Sequence, residues 1–190
     1  MSMSKLLHAT RWLSLYERDG WVYASRRPAD RPLQLDAVTI VALHGDGGAG
    51  APHRLVVIEE YRVPIGGWEY GLPAGLLDAG EAIATCAARE LQEETGLEVT
   101  KPLEHSGLTF SSPGMTDESQ AFVVLTCRGT PSLQPGLEGE RIKVHLLTQS
   151  DCRALLERNR QGQAAISSRA WPLFVAVAYA GSFAGVKIAE

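Results

Sequence analysis

The chain has 190 residues, of which 45% are hydrophobic and 21% charged, and its formal net charge is −4. This composition is typical of one globular domain with some accessory structure and a sizeable core. The negative net charge gives no reason to expect nucleic acid or an anionic membrane as a partner. The three cysteines are isolated and lack CxxC spacing, which is typical of reduced thiols in a cytoplasmic protein and not of disulfides or a zinc site.

The first elements in chain order are short strands. Residues 9–17 and 21–27 flank Arg18-Asp19-Gly20, which is a hairpin turn signal. They predict a small N-terminal antiparallel extension, residues 1–33, which a proline-rich break separates from a main domain, residues 34–190. The arginines beside the break are interpreted as a solvated basic face, with contact to a phosphate as the alternative: Arg26, Arg27 and Arg31.

Two β-branched runs open the main domain. Residues 36–43 and 54–62 predict strands, and the loop between them, Gly45 to Gly50, has the glycine spacing of a dinucleotide fingerprint. That fingerprint requires a helix N-terminus after the glycines to hold a pyrophosphate, whereas Pro52 and a strand follow here. The loop is therefore interpreted as a hairpin connection.

Arg62 lies at the end of the second of these strands. The sequence leaves two roles open for its side chain. One is a surface ion pair with Glu59 or Glu60, and the other is a fork of N–H donors on a diphosphate oxygen.

The stretch from Gly75 to Leu97, GLLDAGEAIATCAARELQEETGL, is the most informative part of the chain. Residues 82–95 are rich in Ala, Glu and Leu and contain neither Gly nor Pro, so they predict a helix. Gly96 supplies the stop, because glycine adopts the left-handed conformation beyond a helix end without strain.

Three glutamates of that helix share one face. Glu90, Glu93 and Glu94 are spaced i, i+3 and i+4, so their carboxylates repel one another unless a cation lies between them. Carboxylate oxygens are the ligands that Mg²⁺ and Mn²⁺ prefer. The alternative is a solvated acidic face on a surface helix.

A turn-rich loop follows between two further strands. Residues 104–110 and 120–127 predict the strands, and residues 111–119 predict the loop, in which Pro113 fixes a turn. Glu118 places an acid in this loop, near the expected mouth of the site.

The C-terminal part predicts two helices. Ser150 is the expected N-cap of a helix over residues 151–160. The uncharged run 170–186 is slightly short for a membrane span, and Pro172 suits a first helical turn, so a buried helix is expected and no membrane segment.

The pattern of Gly75 to Leu97 resembles the Nudix box, the signature of hydrolases that cleave nucleoside diphosphates linked to another group. The residues that agree with it are Gly75, Glu81, Arg89, Glu90, Glu93, Glu94 and Gly96. Three further segments are similar to the ADP-ribose pyrophosphatase subgroup: Tyr61 to Pro64, Leu72 to Gly75 and Ser112 to Gly114. The resemblance implies an α/β fold, a Nudix α/β/α sandwich with a mixed sheet, preceded here by the small N-terminal antiparallel β extension.

The resemblance also implies roles for particular residues. Ligands for Mg²⁺ or Mn²⁺ are expected from the carbonyl of Ala74 and from Glu90, Glu93 and Glu94. Catalysis is assigned to Glu93, Glu94 and Glu118, the last of which would handle the attacking water. Substrate binding is assigned to Arg62, Trp68 and Pro113, with core packing as the alternative for Trp68. Many members of the subgroup have Glu before LPAG, where this chain has Gly71, and that difference puts any contact of the missing glutamate in doubt.

The expected reaction is metal-dependent hydrolysis of a nucleoside diphosphate sugar, with ADP-ribose giving AMP and ribose 5-phosphate. By resemblance, a homodimer is expected in which the N-terminal sheet helps to form the partner's site. Two alternatives remain open. One is another nucleoside diphosphate derivative, such as GDP-mannose, a dinucleoside polyphosphate or a coenzyme A compound. The other is a domain that senses ADP-ribose or a nucleotide without turnover.

Overall fold

A computed structural model describes residues 2–30, 32–45, 51–132 and 141–190. Arg31 and the middle of the loop that connects the two β-branched runs, residues 46–50, lie outside the described residues, as do residues 133–140. The interpretation of that loop therefore stays a prediction.

The N-terminal extension is a three-stranded antiparallel sheet, in the order β1 (Lys5–Ala9), β2 (Ser14–Arg18) and β3 (Trp21–Ser25). The hairpin at Asp19 and Gly20 is confirmed, with φ of 51° and 82°, the two left-handed residues that a tight hairpin turn needs. The single strand over residues 9–17 is wrong. Thr10 interrupts it, because its side-chain oxygen accepts the N–H groups of Trp12 and Leu13 and makes a turn.

The main sheet is mixed and follows the order β12-β6-β5-β4-β10-β8, with β11 paired to β5, β7 to β4 and β9 to β10. Its strands are β4 (Ala37–His44), β5 (Arg54–Arg62), β6 (Gly67–Gly71), β7 (Ala74–Leu76), β8 (Glu98–His105), β9 (Thr109–Phe110), β10 (Ser119–Arg128), β11 (Ile142–Leu147) and β12 (Ala165–Ile166). The pairs β4–β10 and β6–β12 are parallel, and the others are antiparallel. The strand predicted over residues 104–110 is two strands, since β8 ends at His105 and β9 begins at Thr109.

Helices cover both faces of this sheet, so the α/β/α sandwich is confirmed. On one face α1 (Ile83–Thr95) packs through Cys86, Ala87 and Leu91. On the other face lie α2 (Gln149–Arg160) and α3 (Trp171–Ala180), with the fully buried Phe174 at their centre. Every residue of β4 is buried, as expected for a central strand between two layers.

The diverging strands β4 and β5 create the space for a site. They pair over only two residues, Leu43 with Leu55 and His44 with Arg54. Further along, β7 takes the place beside β4, while β6 and β11 flank β5. The chain passes from β7 into α1 at this divergence, and Glu94, near the end of α1, contacts Ala74 of β7.

Helix α1 agrees with its prediction to within one residue at its start. It ends at Gly96, whose φ of 73° is left-handed as expected. The run 170–186 is not one helix: α3 stops at Gly181, with φ of 65°, and a hairpin of β13 (Ser182–Phe183) and β14 (Val186–Lys187) follows. No helix in the described part of the chain is long and apolar enough to cross a membrane.

All three cysteines, Cys86, Cys127 and Cys152, are free and buried. Burial raises the pKa of each thiol to about 12. These thiols therefore act as small apolar core groups and not as nucleophiles.

The N-cap of α2 is Thr148, so the assignment to Ser150 is wrong. The Thr148 side chain accepts the N–H of Asp151, and the Asp151 carboxylate accepts the N–H of Thr148 at 2.9 Å. The N–H of Thr148, and after it the Thr148 hydroxyl, donates to the Asp151 carboxylate and lowers the pKa of Asp151. The reciprocal pair is a capping box, which satisfies two backbone donors that a cap at Ser150 would leave without partners.

Replacing Thr148 with Ala is expected to lower the free energy of unfolding by about 1 kcal/mol, because it removes the side-chain acceptor of the capping box. Urea unfolding followed by circular dichroism measures the change. Ser150→Ala is the matched control and is expected to change stability by less than about 0.5 kcal/mol. A larger loss in the control than in Thr148→Ala would contradict the cap assignment.

Candidate active site

The glutamates of α1 form one wall of an open cleft of about 700 Å³. Glu90, Glu93 and Glu94 all line it, as their spacing on one helix face requires. The other walls come from β7, from the diverging ends of β4, β5 and β6, from residues 111–118 and from the turn before α3.

Gly75 lies directly against the carboxylate of Glu90. A Cβ atom built on Gly75 would lie 1.8 Å from Cδ of Glu90 and 2.1 and 2.2 Å from its two carboxylate oxygens. The carboxylate therefore occupies the space that any other residue would fill at this position. A larger residue at this position would displace the Glu90 carboxylate, and the backbone angle alone would not favour glycine, since its φ is not positive.

Glu94 is the most deeply buried of the three glutamates. Its exposed fraction is 6%, and its Oε2 accepts the backbone N–H of Ala74 at 3.0 Å. Ala74 pairs with Thr39 of β4, so the main sheet fixes the position of this donor. The contact places the predicted carbonyl ligand, Ala74, directly beside the glutamate helix.

Arg89 forms hydrogen bonds with three glutamates of the box. Its guanidinium donates to Glu81 at 2.9 and 3.0 Å, to Glu90 at 2.7 Å and to Glu93 at 3.2 Å. It also donates to the carbonyl of Leu76 at 3.0 Å, which connects α1 to the end of β7. The side chain thus positions glutamates of the box.

Glu81 is held at the start of α1 by three hydrogen bonds, two from Arg89 and one from the N–H of Asp78. The contact from Arg89 and then the N–H of Asp78 lower the pKa of its carboxyl to about 2. Because the pKa in the folded chain lies below that of the unfolded chain, the contact contributes fully above the ordinary pKa of about 4.5 and is lost as the pH falls through about 2. Glu81 therefore stays ionised throughout the physiological range and keeps Arg89 in place.

The donor set fits a hard divalent cation in its chemistry. Glu90, Glu93 and Glu94 line the cleft together with Ala74, and their carboxylates and its carbonyl would be oxygen ligands. Among the described residues, no group of three His, Cys, Asp or Glu side chains converges closely enough to form a finished ligand set. Contacts with Arg89 direct oxygens of Glu90 and Glu93 towards its guanidinium. Ligation by these two residues would replace those contacts.

Glu118 lines the same cleft and belongs to the loop that precedes β10. Its Oε2 accepts from Nε of Arg26 at 3.2 Å, so the N-terminal extension reaches the site. Its neighbour Asp117 accepts from Ser25 at 3.0 Å and holds the loop against β3. Two arginines of the cluster that was interpreted as a solvated face are described: Arg26 lines the cleft, whereas Arg27 is largely buried in an ion pair with Asp36.

Arg62 makes the ion pair with Glu60 that was one of its two predicted roles, and its contact with a diphosphate oxygen stays a prediction. It lines the cleft and also pairs with Glu60 at 2.7 Å, with Glu69 further away at 3.7 Å. Gly71 leaves room for a side chain, because an added Cβ would contact only Ser167 at an ordinary 3.9 Å. In this chain Glu69, two residues earlier, is the acid of β6 that faces the cleft.

The other two substrate-binding assignments do not line this cleft. Side chains alternate along a strand, so Trp68 points away from the face that Glu69 occupies. Trp68 packs edge-on against Tyr61 at 5.9 Å, and Nζ of Lys143 lies 4.0 Å from its ring centre. Pro113 lies in a neighbouring pocket of about 570 Å³, on the other side of the loop that carries Glu118.

Sequence reasoning missed three groups in the cleft. Glu69 could have been found from strand alternation, because it shares a face with Gly67 and Gly71 across from Glu60 and Arg62. Residues 167–169, Ser-Ser-Arg, carry no sequence signal, since they reach the cleft only because β12 pairs with β6. Ser111 and Ser112 belong to a loop whose orientation depends on the contacts of Asp117.

Comparison with known proteins places the chain in a family. The profile of the NUDIX domain matches residues 33–169, most of the chain, and the protein therefore belongs to the NUDIX family. Members of this family generally use divalent metal ions.

Individual relatives match at moderate identity. Putative nudix hydrolase 2 of Caenorhabditis elegans is 37% identical over 135 residues, which are 68% of this chain and 59% of the relative. An ADP-ribose pyrophosphatase of Saccharomyces cerevisiae is 40% identical over 76 residues, covering 40% of this chain and 32% of the yeast protein. The chain thus spans less than two thirds of these relatives. A crystal structure of an ADP compounds hydrolase has the same fold, with a TM-score of 0.52 and 24% identity over 83% of this chain and 84% of that one.

Proposed function

We propose that the protein hydrolyses the diphosphate linkage of a nucleoside diphosphate sugar, with ADP-ribose giving AMP and ribose 5-phosphate. The observation that carries the proposal is the cleft wall formed by Glu90, Glu93 and Glu94. The Glu90 carboxylate occupies the space beside Gly75 that a side chain at position 75 would need. Arg26 and Arg62 line the same cleft and suit an anionic substrate. Relatives named as ADP-ribose pyrophosphatases support this choice of substrate.

Mg²⁺ or Mn²⁺ is the proposed cofactor, held by the Ala74 carbonyl and by Glu90, Glu93 and Glu94. When bound, the cation supplies positive charge to the diphosphate and makes a water molecule more acidic. Carboxylates alone would repel the anionic substrate, so the acids of this cleft need such a counter-charge. Glu94 would keep its place through the N–H of Ala74, and ligation by Glu90 and Glu93 would require their oxygens to leave Arg89.

Glu118 is the proposed base or water-orienting group. It reaches the cleft from a loop that Asp117 and Ser25 fasten to the N-terminal sheet. The contact with Arg26 holds one of its oxygens and leaves the other for a water molecule. A base must lie within hydrogen-bond reach of the proton that it removes, and a tethered loop provides such a fixed position.

The neighbouring pocket is the proposed place for the base or sugar. It is lined by Trp21, Tyr23 and Phe110 together with Pro113, which gives aromatic surfaces for stacking. The loop between residues 111 and 118 contributes to both the pocket and the cleft. This arrangement supports the assignment of Pro113 to substrate binding, through the pocket and not through the cleft. Trp68 would need a different route to the substrate, such as a second subunit.

A homodimer is proposed from the apolar surface of the N-terminal sheet. Trp21 is 67% exposed, and Leu6 and Val22 are also exposed on the same sheet. Apolar surface of this kind on a small sheet is typical of an interface between subunits. Sedimentation as a monomer at micromolar concentration would contradict the homodimer.

The three reduced thiols support a cytoplasmic location.

The test is incubation of the purified protein with ADP-ribose and Mg²⁺, followed by separation of AMP. Catalytic efficiencies for GDP-mannose, a dinucleoside polyphosphate and a coenzyme A derivative measured in parallel define the substrate class. Release of AMP with ADP-ribose preferred would support the proposal. Binding of ADP-ribose without any AMP would indicate a sensor and would contradict the proposed hydrolysis.

A further inference from the structure

The turn before α3 contributes a basic residue to the cleft that has no role in the reaction described above. Arg169 lines the cleft together with Ser167 and Ser168. These residues lie far along the chain from the box. They bring one guanidinium group and two hydroxyl groups to the cleft.

The backbone of this turn is held firmly to the main sheet. Strand β12 pairs with β6, and the N–H of Ser167 donates to the carbonyl of Tyr70 at 2.9 Å. The N–H groups of Ala170 and Trp171 both donate to the carbonyl of Ser167 at 3.0 Å. The base of the Arg169 side chain is therefore fixed relative to β6, which also carries Glu69.

The far end of the side chain is held as well. Nη1 of Arg169 donates to Oε1 of Gln120 at 2.6 Å. Gln120 is 2% exposed at the start of β10, and the same oxygen accepts from Thr39 of β4 at 2.6 Å. With both lone pairs of this oxygen in use, the amide cannot rotate without losing two contacts, so the guanidinium is oriented in advance.

The partner of Arg169 distinguishes it from the other arginines of the cleft. Arg26 and Arg62 pair with the carboxylates of Glu118 and Glu60. In the described part of the chain, Arg169 pairs with no carboxylate, and its acceptor Gln120 is neutral. No described carboxylate therefore neutralises its positive charge directly. The guanidinium has further N–H groups, and their planar fork matches the geometry of phosphate oxygens.

We propose that Arg169 binds a phosphate oxygen of the substrate and that Gln120 is the positioning residue that aims it. The inference rests on the proposed function, because it assigns a second anchor for the same diphosphate substrate. Cleavage of the diphosphate leaves one phosphate on each product, AMP and ribose 5-phosphate, and the contact belongs to one of these two phosphates.

The experiment compares Arg169→Gln and Arg169→Lys with the wild type. The loss of a charge-assisted contact is expected to raise KM for ADP-ribose by roughly 10- to 100-fold, with a smaller change in kcat. Arg169→Lys keeps the charge and is expected to restore part of the affinity. Gln120→Met is expected to raise KM in the same direction, because Arg169 then loses its acceptor. Arg128→Gln is the matched control, since Arg128 makes an exposed pair with Glu98 outside the cleft and should leave KM unchanged.

Inhibition by AMP and by ribose 5-phosphate, with calorimetric titration of each product, identifies the phosphate. Arg169→Gln is expected to weaken the binding of one product and to leave the other within about twofold. Unchanged KM and unchanged affinity for both products in Arg169→Gln would overturn the inference. Release of AMP by the wild type would leave the proposed function intact in that case. A fall in kcat alone would also overturn it. If the wild type released no AMP, the proposed function would fail, and the calorimetric titrations would still decide whether Arg169 binds phosphate.

Discussion

Replacing Glu94 with Gln is expected to lower kcat for ADP-ribose by at least about 10³-fold. Gln has almost the same shape as Glu and can still accept the N–H of Ala74, so the fold and the buried position are preserved. It lacks the negative charge that a cation needs from this wall of the cleft. The measurement is steady-state AMP release at saturating Mg²⁺, together with the thermal unfolding temperature of both proteins.

The matched control is Glu98→Gln, which removes one charge three residues beyond the end of α1 from an exposed pair with Arg128. This control should retain the wild-type rate. An unchanged rate in Glu94→Gln would remove Glu94 from the metal ligands. A large drop in unfolding temperature would show a structural and not a chemical role.

Replacing Gly75 with Ala is expected to reduce kcat/KM by about 10²-fold, because the new Cβ would have to occupy the place of the Glu90 carboxylate. Either Glu90 leaves its position or β7 shifts away from α1, and both outcomes displace a predicted ligand. The backbone angle of Gly75 is acceptable for alanine, so the effect should come from this collision. Activity and a titration of Mn²⁺ binding would measure it.

Gly107→Ala controls for the loss of a glycine, since an added Cβ there meets no atom within 4 Å. The control is expected to keep both activity and Mn²⁺ affinity. Wild-type activity in Gly75→Ala would show that Glu90 can move without consequence and would contradict its place among the ligands.

Local signals were sufficient where neighbouring residues determine the structure. Strand β5 begins and ends at the predicted residues, because a β-branched run lies between a loop and a glycine-rich segment. Helix α1 was predicted for a similar reason, because its helix-forming residues and the stop at Gly96 are local signals. The cap of α2 was misassigned although Thr148 and Asp151 have capping-box spacing, because Ser150 is also a cap-forming residue and lies nearer to the expected start.

The glutamate wall was predicted from one segment of chain, and Arg62 and Glu118 were expected near it, but the rest of the cleft was not. The three glutamates follow from helix periodicity, whereas Arg169 depends on the pairing of β12 with β6, which no local pattern indicates. Trp68 illustrates the limit at a single residue, because the register of β6 directs Glu69 into the cleft and Trp68 to the opposite face. Arg26 reaches Glu118 only through the packing of the N-terminal sheet on residues 115–117.

The division into residues 1–33 and 34–190 remains a prediction. Ala24 donates to the carbonyl of Met115 at 2.9 Å, and Arg27 pairs with Asp36 at 3.1 Å, so the extension is attached to the main domain at the edge of the cleft. Removal of the extension should therefore affect Glu118 as well as any subunit interface.

The most direct measurement is a crystal soaked in Mn²⁺ and examined for anomalous scattering. The account predicts a peak between the carboxylates of Glu90, Glu93 and Glu94 and the carbonyl of Ala74, with Arg89 turned away from Glu90. A peak elsewhere, or none at this wall while Mn²⁺ supports hydrolysis in solution, would contradict it.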